Sequence, residues 1–550
     1  MKTFISHFSQ IADRRKILVL FIAAFVLRAI CAYLYAGEID QEGSEYARLA
    51  QNLMSGKGYV GLYTEGPQLI FPPLYPIIIA SLSFVTGTVE VSGRIANIVF
   101  GAALVFPVYL IARRLFGDRV GFGAAALVAF HPYLIQFSTT VYCELVYLTL
   151  ALAAVYAAMT AMDKPNRRTL IVCGALYGAA YLIRPEALTL ACVSAIFILV
   201  SAACRSRQQL RETATIIALM PLVFALIAGP YIGWLSFQSG HLRFENKSIL
   251  NTATELRMQK GMSQAEATDS VDEQLQPQGT YNQPHINIIN MPRQGMKETI
   301  VVLLSKATSV LRDSSAEIAG AAEFGSPALF ALAVLGLFGR PWCRELALQQ
   351  LHLISLLGLC VAATLFVYYT ASRFYIPFLV IFCIWASAGI ERIAVWAKQS
   401  AAAMEMDAQR QRFASRVAGI IAIAAILLPS ALFARSDLLA YRSSRQIKQL
   451  AQTCAATSDG VLRIAGTTAT FAFNAHAEYV SLPYCSEETA LRYLKKMNVT
   501  HVVVRQWNND RPYLSKWLDK GVPGARQVAL NLEGGEKVRV FELSKPEAAP

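Results

Sequence analysis

Long apolar segments recur along this 550-residue chain, and they limit its possible folds more than any other feature. A helix of about 20 apolar residues crosses the hydrocarbon core of a bilayer. Charged residues make up 16% of the chain, against about a quarter in soluble domains, and they lie between these segments. We therefore predict a polytopic α-helical membrane protein with about eleven spans, at 17–36, 93–112, 120–137, 143–162, 169–184, 187–204, 213–234, 326–339, 350–369, 374–391 and 417–434.

The distribution of Lys and Arg predicts the orientation of these spans. Basic residues accumulate in cytoplasmic loops because they resist translocation and attract anionic lipid. With the N-terminus in the cytoplasm, Arg14, Arg113, Arg167 and Arg340 all fall in cytoplasmic segments. The net charge of +13 then needs no nucleic acid as a partner. We predict a multi-pass protein of the inner (plasma) membrane whose C-terminal end is extracytoplasmic, in the periplasm or its equivalent.

Three segments on the predicted outer side are too long to be simple connections: about 37–92, 235–325 and 435–550. Long loops usually carry function, so the active site is expected on that side. The last segment alternates strand and helix patterns, which predicts a small α/β domain at 435–550 beside a membrane module at 1–434. Its predicted strands are 461–466, 479–482, 501–506, 526–530 and 537–543, around a helix at 486–498.

The first outside loop contains two further predicted helices. Residues 44–55 form an amphipathic pattern that is typical of a helix lying in the membrane interface, ending at Gly56. Pro72 and Pro73 then begin an apolar helix over about 73–88. We do not count this helix as a span, because it would invert every later loop against the distribution of charge.

Two cysteines, Cys454 and Cys485, lie in the predicted extracytoplasmic domain. An even number of cysteines in an oxidising compartment favours a disulfide, and we predict one between these two. The other eight lie in or beside spans, where a free cysteine behaves as a small apolar residue.

Acidic residues cluster directly after the first span, at Glu38, Asp40, Glu42 and Glu45. Such a cluster can be a solvated loop. At a membrane boundary, however, partial burial can raise the pKa of a carboxyl group and make it a general base. Both interpretations stay open from the pattern alone.

Several charged residues are predicted near the ends of spans. An ionisable residue at membrane depth is costly unless it faces a partner or a cavity, which makes Glu144 a candidate site residue. A guanidinium group matches phosphate oxygens in a bidentate manner, which suits a lipid phosphate. The candidates are Glu144, Arg184, Glu186 and Arg373, and the second outside loop adds His241, Arg243, Lys247 and His285.

The order of several motifs resembles the GT-C glycosyltransferases, in particular the branch that holds protein O-mannosyltransferases and lipid A aminoarabinose transferases. The motifs are EGSEYARLAQNLMSGKGY, FPPLYPIII, ARRLFG, HPYLIQFSTTVYCE, GALYGAAYLIRPEAL and SRFYIPF, followed by the α/β domain. The likeness covers most of the chain. The resemblance implies inverting transfer of a sugar from a polyprenyl-phosphate donor to a hydroxyl of a glycan, lipid or protein at the outer face of the membrane.

The resemblance also implies roles for particular residues. In these families an Asp four residues before an aromatic residue acts as the base. Glu42 stands four residues before Tyr46, so the base is expected to be Glu42 or Asp40. The aminoarabinose transferases carry a Lys before the Pro-Pro pair, where this chain has Phe71. Phosphate binding therefore falls to Arg184 and Arg373.

Metal use and two other classes of function remain open from the sequence. No cofactor is expected to be required, although Glu42 and Glu144 could hold a divalent cation. A lipid or sugar transporter or flippase usually shows paired inverted repeats, and the sequence shows no convincing repeat. A non-catalytic relative that binds polyprenyl lipid would keep the same residues and differ only in activity.

Overall fold

The computed structural model of the chain describes residues 2–62, 66–280, 326–364, 372–458, 461–506, 510–531 and 536–543. Candidate residue His285 lies outside them. The described part is a helical bundle followed by a five-stranded sheet. Its helices are Lys2–Tyr35, Gln41–Met54, Leu74–Thr86, Val89–Ala103, Val105–Phe116, Asp118–Phe130, Pro132–Gln136, Glu144–Asp163, Arg167–Tyr181, Ala187–Arg205, Arg207–Ile216, Leu219–Ser239, Lys247–Gln259, Gln264–Asp269, Ser326–Phe338, Arg344–Thr364, Ile376–Ala403, Ala408–Ser443, Arg445–Ala456, Thr470–Asn474, Glu487–Lys496 and Leu514–Lys520.

The fold class is confirmed: the chain is a multi-pass membrane protein. Within the described residues, eight helical segments are long and apolar enough to cross a bilayer, and a bent pair makes up to nine. The eight segments are Arg14–Tyr35, Val89–Phe116, Glu144–Asp163, Ala187–Arg205, Arg207–Ser239, Arg344–Ala363, Arg373–Ala403 and Ala408–Ala456.

The remaining three predicted spans are shorter or broken. The segments predicted at 169–184 and 326–339 are helices of 15 and 13 residues. The span predicted at 120–137 bends by 51° between Phe130 and Pro132. Proline has no amide hydrogen and excludes the helical conformation from the residue before it, and His131 is accordingly extended, with ψ of 118°.

Close packing through glycine holds two helices of the bundle together. A Cβ atom on Gly336 would lie 1.8 Å from the carbonyl oxygen of Trp385, and one on Gly389 would lie 2.1 Å from that of Leu332. Small residues allow this approach of backbones, which stabilises helix pairs in membranes. The helices Ser326–Phe338 and Ile376–Ala403 are therefore fixed against each other.

The strands form one sheet, here called the C-terminal sheet. They are β1 Arg463–Gly466, β2 Glu478–Ser481, β3 His501–Arg505, β4 Ala525–Asn531 and β5 Val538–Leu543. Their order is β2-β1-β3-β5-β4. β1 is parallel to β2 and β3, and β5 is antiparallel to β3 and β4. The strands and the helix Glu487–Lys496 lie where they were predicted, and the predicted boundary at 434 falls inside the helix Ala408–Ser443.

The predicted disulfide is wrong: Cys454 and Cys485 are both free thiols in the structure. Cys454 belongs to the hydrophobic cluster that contains Ile464 and Val503. Cys485 packs against the cluster that contains Val502 on the other face of the sheet. Successive residues of a strand point to opposite faces, so the sheet separates the two thiols.

We expect chemical labelling to find all ten cysteines of the chain reduced. Denaturing the purified protein without reductant and adding an alkylating reagent should give ten labels per chain by mass spectrometry, and reductant should not change the melting temperature. Eight labels without reductant and ten with it would restore the disulfide.

Candidate active site

The first-loop helix, Gln41–Met54, positions the acidic cluster. Asp40 caps its start: the side chain of Asp40 accepts a hydrogen bond of 2.8 Å from the amide of Gly43, as is typical of an N-cap residue. The predicted apolar side of the helix is buried against the protein. Tyr46 packs edge-on against Phe71 and Tyr75, and its hydroxyl lies 3.3 Å from Sγ of Cys143. These contacts fix the position of the first-loop helix, and Glu42 lies in the first turn of that helix.

Glu42 is the centre of a charged cluster. Its Oε1 lies 2.9 Å from Nζ of Lys247, and its Oε2 lies 2.5 Å from Nη1 of Arg373. The side chain is 15% exposed. Burial alone would raise the pKa of Glu42, but the positive charges of Lys247 and Arg373 outweigh burial and hold that pKa well below its ordinary value.

Glu144 continues the cluster on the other side of Arg373. Its Oε1 lies 3.4 Å from Arg184 and 3.9 Å from Arg373, and its side chain is 5% exposed. Arg184 also lies 3.2 Å from Glu186. A carboxylate buried so deeply needs cationic partners, so Glu144 holds the two guanidinium groups at fixed positions.

The three cations, here called the cation cluster, are Arg184, Lys247 and Arg373. Each lies over an aromatic ring: Arg184 is 5.7 Å from the ring centre of Tyr147, Lys247 is 5.2 Å from that of Phe71, and Arg373 is 5.0 Å from that of Tyr142. Such cation–π contacts stabilise the cations independently of the carboxylates.

Helix ends bring the cation cluster together. Arg184 follows the helix Arg167–Tyr181, in the turn before Pro185. Arg373 lies in a short 3₁₀ turn, Ser372–Tyr375, directly before the helix Ile376–Ala403, which has Pro377 in its first turn. Lys247 is the first residue of the helix Lys247–Gln259. These cations therefore come from three separate regions of the sequence.

Asp40 lies beside this cluster but differs from Glu42 in its surroundings. Burial raises the pKa of Asp40 to about 6, although the charge of Arg373 and a hydrogen bond from Tyr142 act in the opposite direction. Because Asp40 also caps the first-loop helix, its side chain has a structural role whatever else it does.

The two remaining carboxylates of the acidic cluster organise neighbouring segments. Glu38 is buried 3.3 Å from Arg505 at the end of strand β3. Burial raises the pKa of Glu38, and the charge of Arg505 opposes this. Glu45, also buried, accepts a hydrogen bond of 2.6 Å from the amide of Leu62 and another from Gln68. The alternative of a solvated acidic loop is therefore wrong for these residues.

The structure brings most of the predicted site residues into one region: Asp40, Glu42, Tyr46, Glu144, Arg184, Glu186 and Arg373. Lys247, one of four candidates in its loop, also joins them, whereas His241 is exposed. Lys247 lies over the ring of Phe71 and so brings a positive charge to the segment before Pro72 from another part of the chain.

A metal site is not evident in the part of the chain that the structure describes. No three side chains of His, Cys, Asp or Glu there lie close enough together to hold an ion. Arg373 lies between Glu42 and Glu144, so these two carboxylates are unsuited to share a cation, and we derive no step through a metal.

Comparison with known proteins finds a family match for part of the chain and structural matches for most of it. Residues 71–234 match the family model described as dolichyl-phosphate-mannose-protein mannosyltransferase. The search of curated proteins finds no match. The matched segment, about a third of the chain, contains Glu144, Arg184 and Glu186 of the candidate site.

Solved structures extend the likeness to almost the whole chain. ArnT from Cupriavidus metallidurans bound to undecaprenyl phosphate is 12% identical, with 95% of this chain and 97% of that chain covered and a TM-score of 0.54. Archaeoglobus fulgidus AglB in complex with an inhibitory peptide and a dolichol-phosphate is 11% identical, with 90% of this chain and 69% of that chain covered and a TM-score of 0.57. The A. fulgidus oligosaccharyltransferase tethered with an acceptor peptide is 13% identical, with 96% of this chain and 74% of that chain covered and a TM-score of 0.60. The predicted resemblance is confirmed at the level of the fold, which this chain shares with ArnT and AglB.

Proposed function

We propose that this protein is an inverting glycosyltransferase that moves a sugar from a polyprenyl-phosphate carrier to an acceptor hydroxyl at the extracytoplasmic face of the membrane. One observation carries the proposal: a largely buried carboxylate, Glu42, lies directly against two cations, Lys247 and Arg373, each at the start of a helix. The bound polyprenyl phosphates of ArnT and AglB support a lipid-linked donor.

The cation cluster suits the phosphate of such a donor. A guanidinium group can bind two phosphate oxygens at once. Arg184 and Arg373 both contact one buried carboxylate, Glu144, which holds them near each other. Positive charges fixed in advance stabilise the charge that develops on a leaving phosphate. The polyprenyl phosphate can therefore leave without being protonated, and Glu144 acts as a positioning residue.

The base that we propose is Glu42. It removes the proton of the acceptor hydroxyl while the hydroxyl oxygen attacks the anomeric carbon of the sugar. The new carbon–oxygen bond forms as the bond from that carbon to the phosphate oxygen breaks, and the configuration inverts. Glu42 contacts two of the cations that would bind the phosphate, whereas Asp40 is engaged in capping the first-loop helix.

Transfer from a panel of radiolabelled polyprenyl-phosphate sugars tests this function. The full chain is reconstituted in lipid nanodiscs with glycan, lipid and peptide acceptors, and label is followed from the donor to product. We expect one donor to be consumed and the product to have the inverted anomeric configuration by NMR. If no donor is consumed with any acceptor, the glycosyltransferase proposal fails, and transport or non-catalytic lipid binding takes its place.

A further inference from the structure

Both oxygens of Glu42 are engaged in ion pairs, which is unfavourable for a base. Lys247 lies 2.9 Å from Oε1, and Arg373 lies 2.5 Å from Oε2. A carboxylate between two cations accepts a proton poorly, because protonation would cancel both attractions. If Glu42 is the base, as proposed above, some event in the reaction must weaken these two ion pairs.

The two cations can exchange partners without leaving their positions. Lys247 lies over the ring of Phe71, and Arg373 lies over the rings of Tyr142 and Phe374 at 5.0 and 5.4 Å. These rings stabilise a cation whichever anion it contacts. The residue before Lys247, Asn246, is buried and donates to the carbonyl oxygen of Leu69, which ties Lys247 to the segment that carries Phe71.

We propose that the phosphate of the donor competes with Glu42 for Lys247 and Arg373, and that this exchange converts Glu42 from an ion-pair partner into the base. Lys247 is then a phosphate-binding residue, and the donor must bind before the acceptor hydroxyl can be deprotonated. This inference rests on the proposed function. No covalent bond is made or broken in the exchange: two cations stay in place and change their ion-pair partner from a carboxylate to a phosphate diester.

The charges around Glu42 set the direction of the effect. A phosphate diester is an anion, and an anion beside a carboxylate makes the carboxylate more basic. The titratable and charged groups that act on Glu42 or feel its charge come from every neighbouring segment. They are Asp40 and Tyr46 of the first loop, Cys143, Arg184, Lys247 and Arg373. Glu144 shares Arg373 with Glu42.

The pH dependence of transfer tests the exchange in the full chain in nanodiscs. The ratio kcat/KM for the donor reports ionisation in the free enzyme, and kcat at saturating donor and acceptor reports it in the bound complex. For the wild type we expect kcat to decline on the acidic side at a pH about one to three units higher than kcat/KM does, the usual effect of an adjacent cation on the pKa of a carboxyl group. A phosphate diester does not titrate in this range, so the difference belongs to the protein.

Lys247→Met is the variant that tests the role of Lys247. Met retains an apolar side chain over Phe71 and removes the charge. We expect KM for the donor to rise roughly ten-fold or more, as for loss of a charge-assisted contact, and the acidic limb of kcat/KM to move up towards that of kcat. Lys247→Arg should restore the separation of the limbs in part. Lys260→Met, at an exposed position after the same helix, is the matched control and should change neither quantity.

Each outcome decides the inference. If the acidic limbs of kcat and kcat/KM coincide in the wild type, the inference is overturned without any variant. It is also overturned if Lys247→Met leaves KM for the donor and both acidic limbs unchanged. In both cases transfer itself would continue to support the proposed function. Absence of transfer by the wild type would instead overturn the proposed function and this inference together.

Discussion

Glu42→Gln should lower the rate of sugar transfer by about a hundred- to ten-thousand-fold, the usual contribution of a general base, and leave the protein folded. Gln has the shape of Glu and still offers an oxygen to Lys247 or Arg373, but it cannot accept the proton of the acceptor. The measurement is a single-turnover transfer rate for purified protein in nanodiscs, with size-exclusion chromatography and a melting temperature as checks on folding.

Asp40→Asn is the matched control for that variant. Asn caps helices about as well as Asp, so the first-loop helix should persist and transfer should stay within a few-fold of the wild type. Because burial raises the pKa of Asp40 to about 6, a base at Asp40 would be protonated, and activity lost, as the pH falls through about 6. Loss of transfer in Asp40→Asn with retention in Glu42→Gln would assign the base to Asp40.

Arg373→Met should lower kcat by about a hundred-fold or more, as when one preorganised charge that stabilises a transition state is removed. Arg373 contacts both Glu42 and Glu144, so the variant removes a proposed phosphate ligand and also leaves two carboxylates with one cation fewer. We expect KM for the donor to rise as well. Arg373→Lys should recover part of the activity only, since an ammonium group is a point charge without a bidentate fork.

The matched control for Arg373 is Arg410→Met. Arg410 is 75% exposed and pairs with Asp407 on the surface, where an ion pair contributes little. Both kinetic constants should stay at the wild-type values in this variant. If Arg373→Met also left them unchanged, the cation cluster would not be the phosphate site.

Local patterns predicted the elements of the fold well. Strand-like segments around a helix pattern predicted the five strands of the C-terminal sheet, and the amphipathic pattern of residues 44–55 predicted the first-loop helix. The sequence could not show where a long apolar segment breaks. The extended conformation of His131 before Pro132 is a local effect, but whether a helix continues beyond such a break depends on the helices packed around it.

The candidate site was predictable where its residues lie close to span ends, as Glu144, Arg184 and Arg373 do. The contact between Glu42 and Lys247 was not, because these residues are 205 positions apart and only the tertiary fold brings them together. For the same reason the pairing of Cys454 with Cys485 was predicted wrongly. The predicted compartment favours a bond, but the C-terminal sheet separates the two thiols.

A structure of the full chain bound to undecaprenyl phosphate would test the central claim most directly. We expect phosphate oxygens within hydrogen-bond distance of Arg184, Lys247 and Arg373, with Glu42 released from its contact with Lys247. A phosphate bound elsewhere, with the ion pairs of Glu42 unchanged, would contradict it.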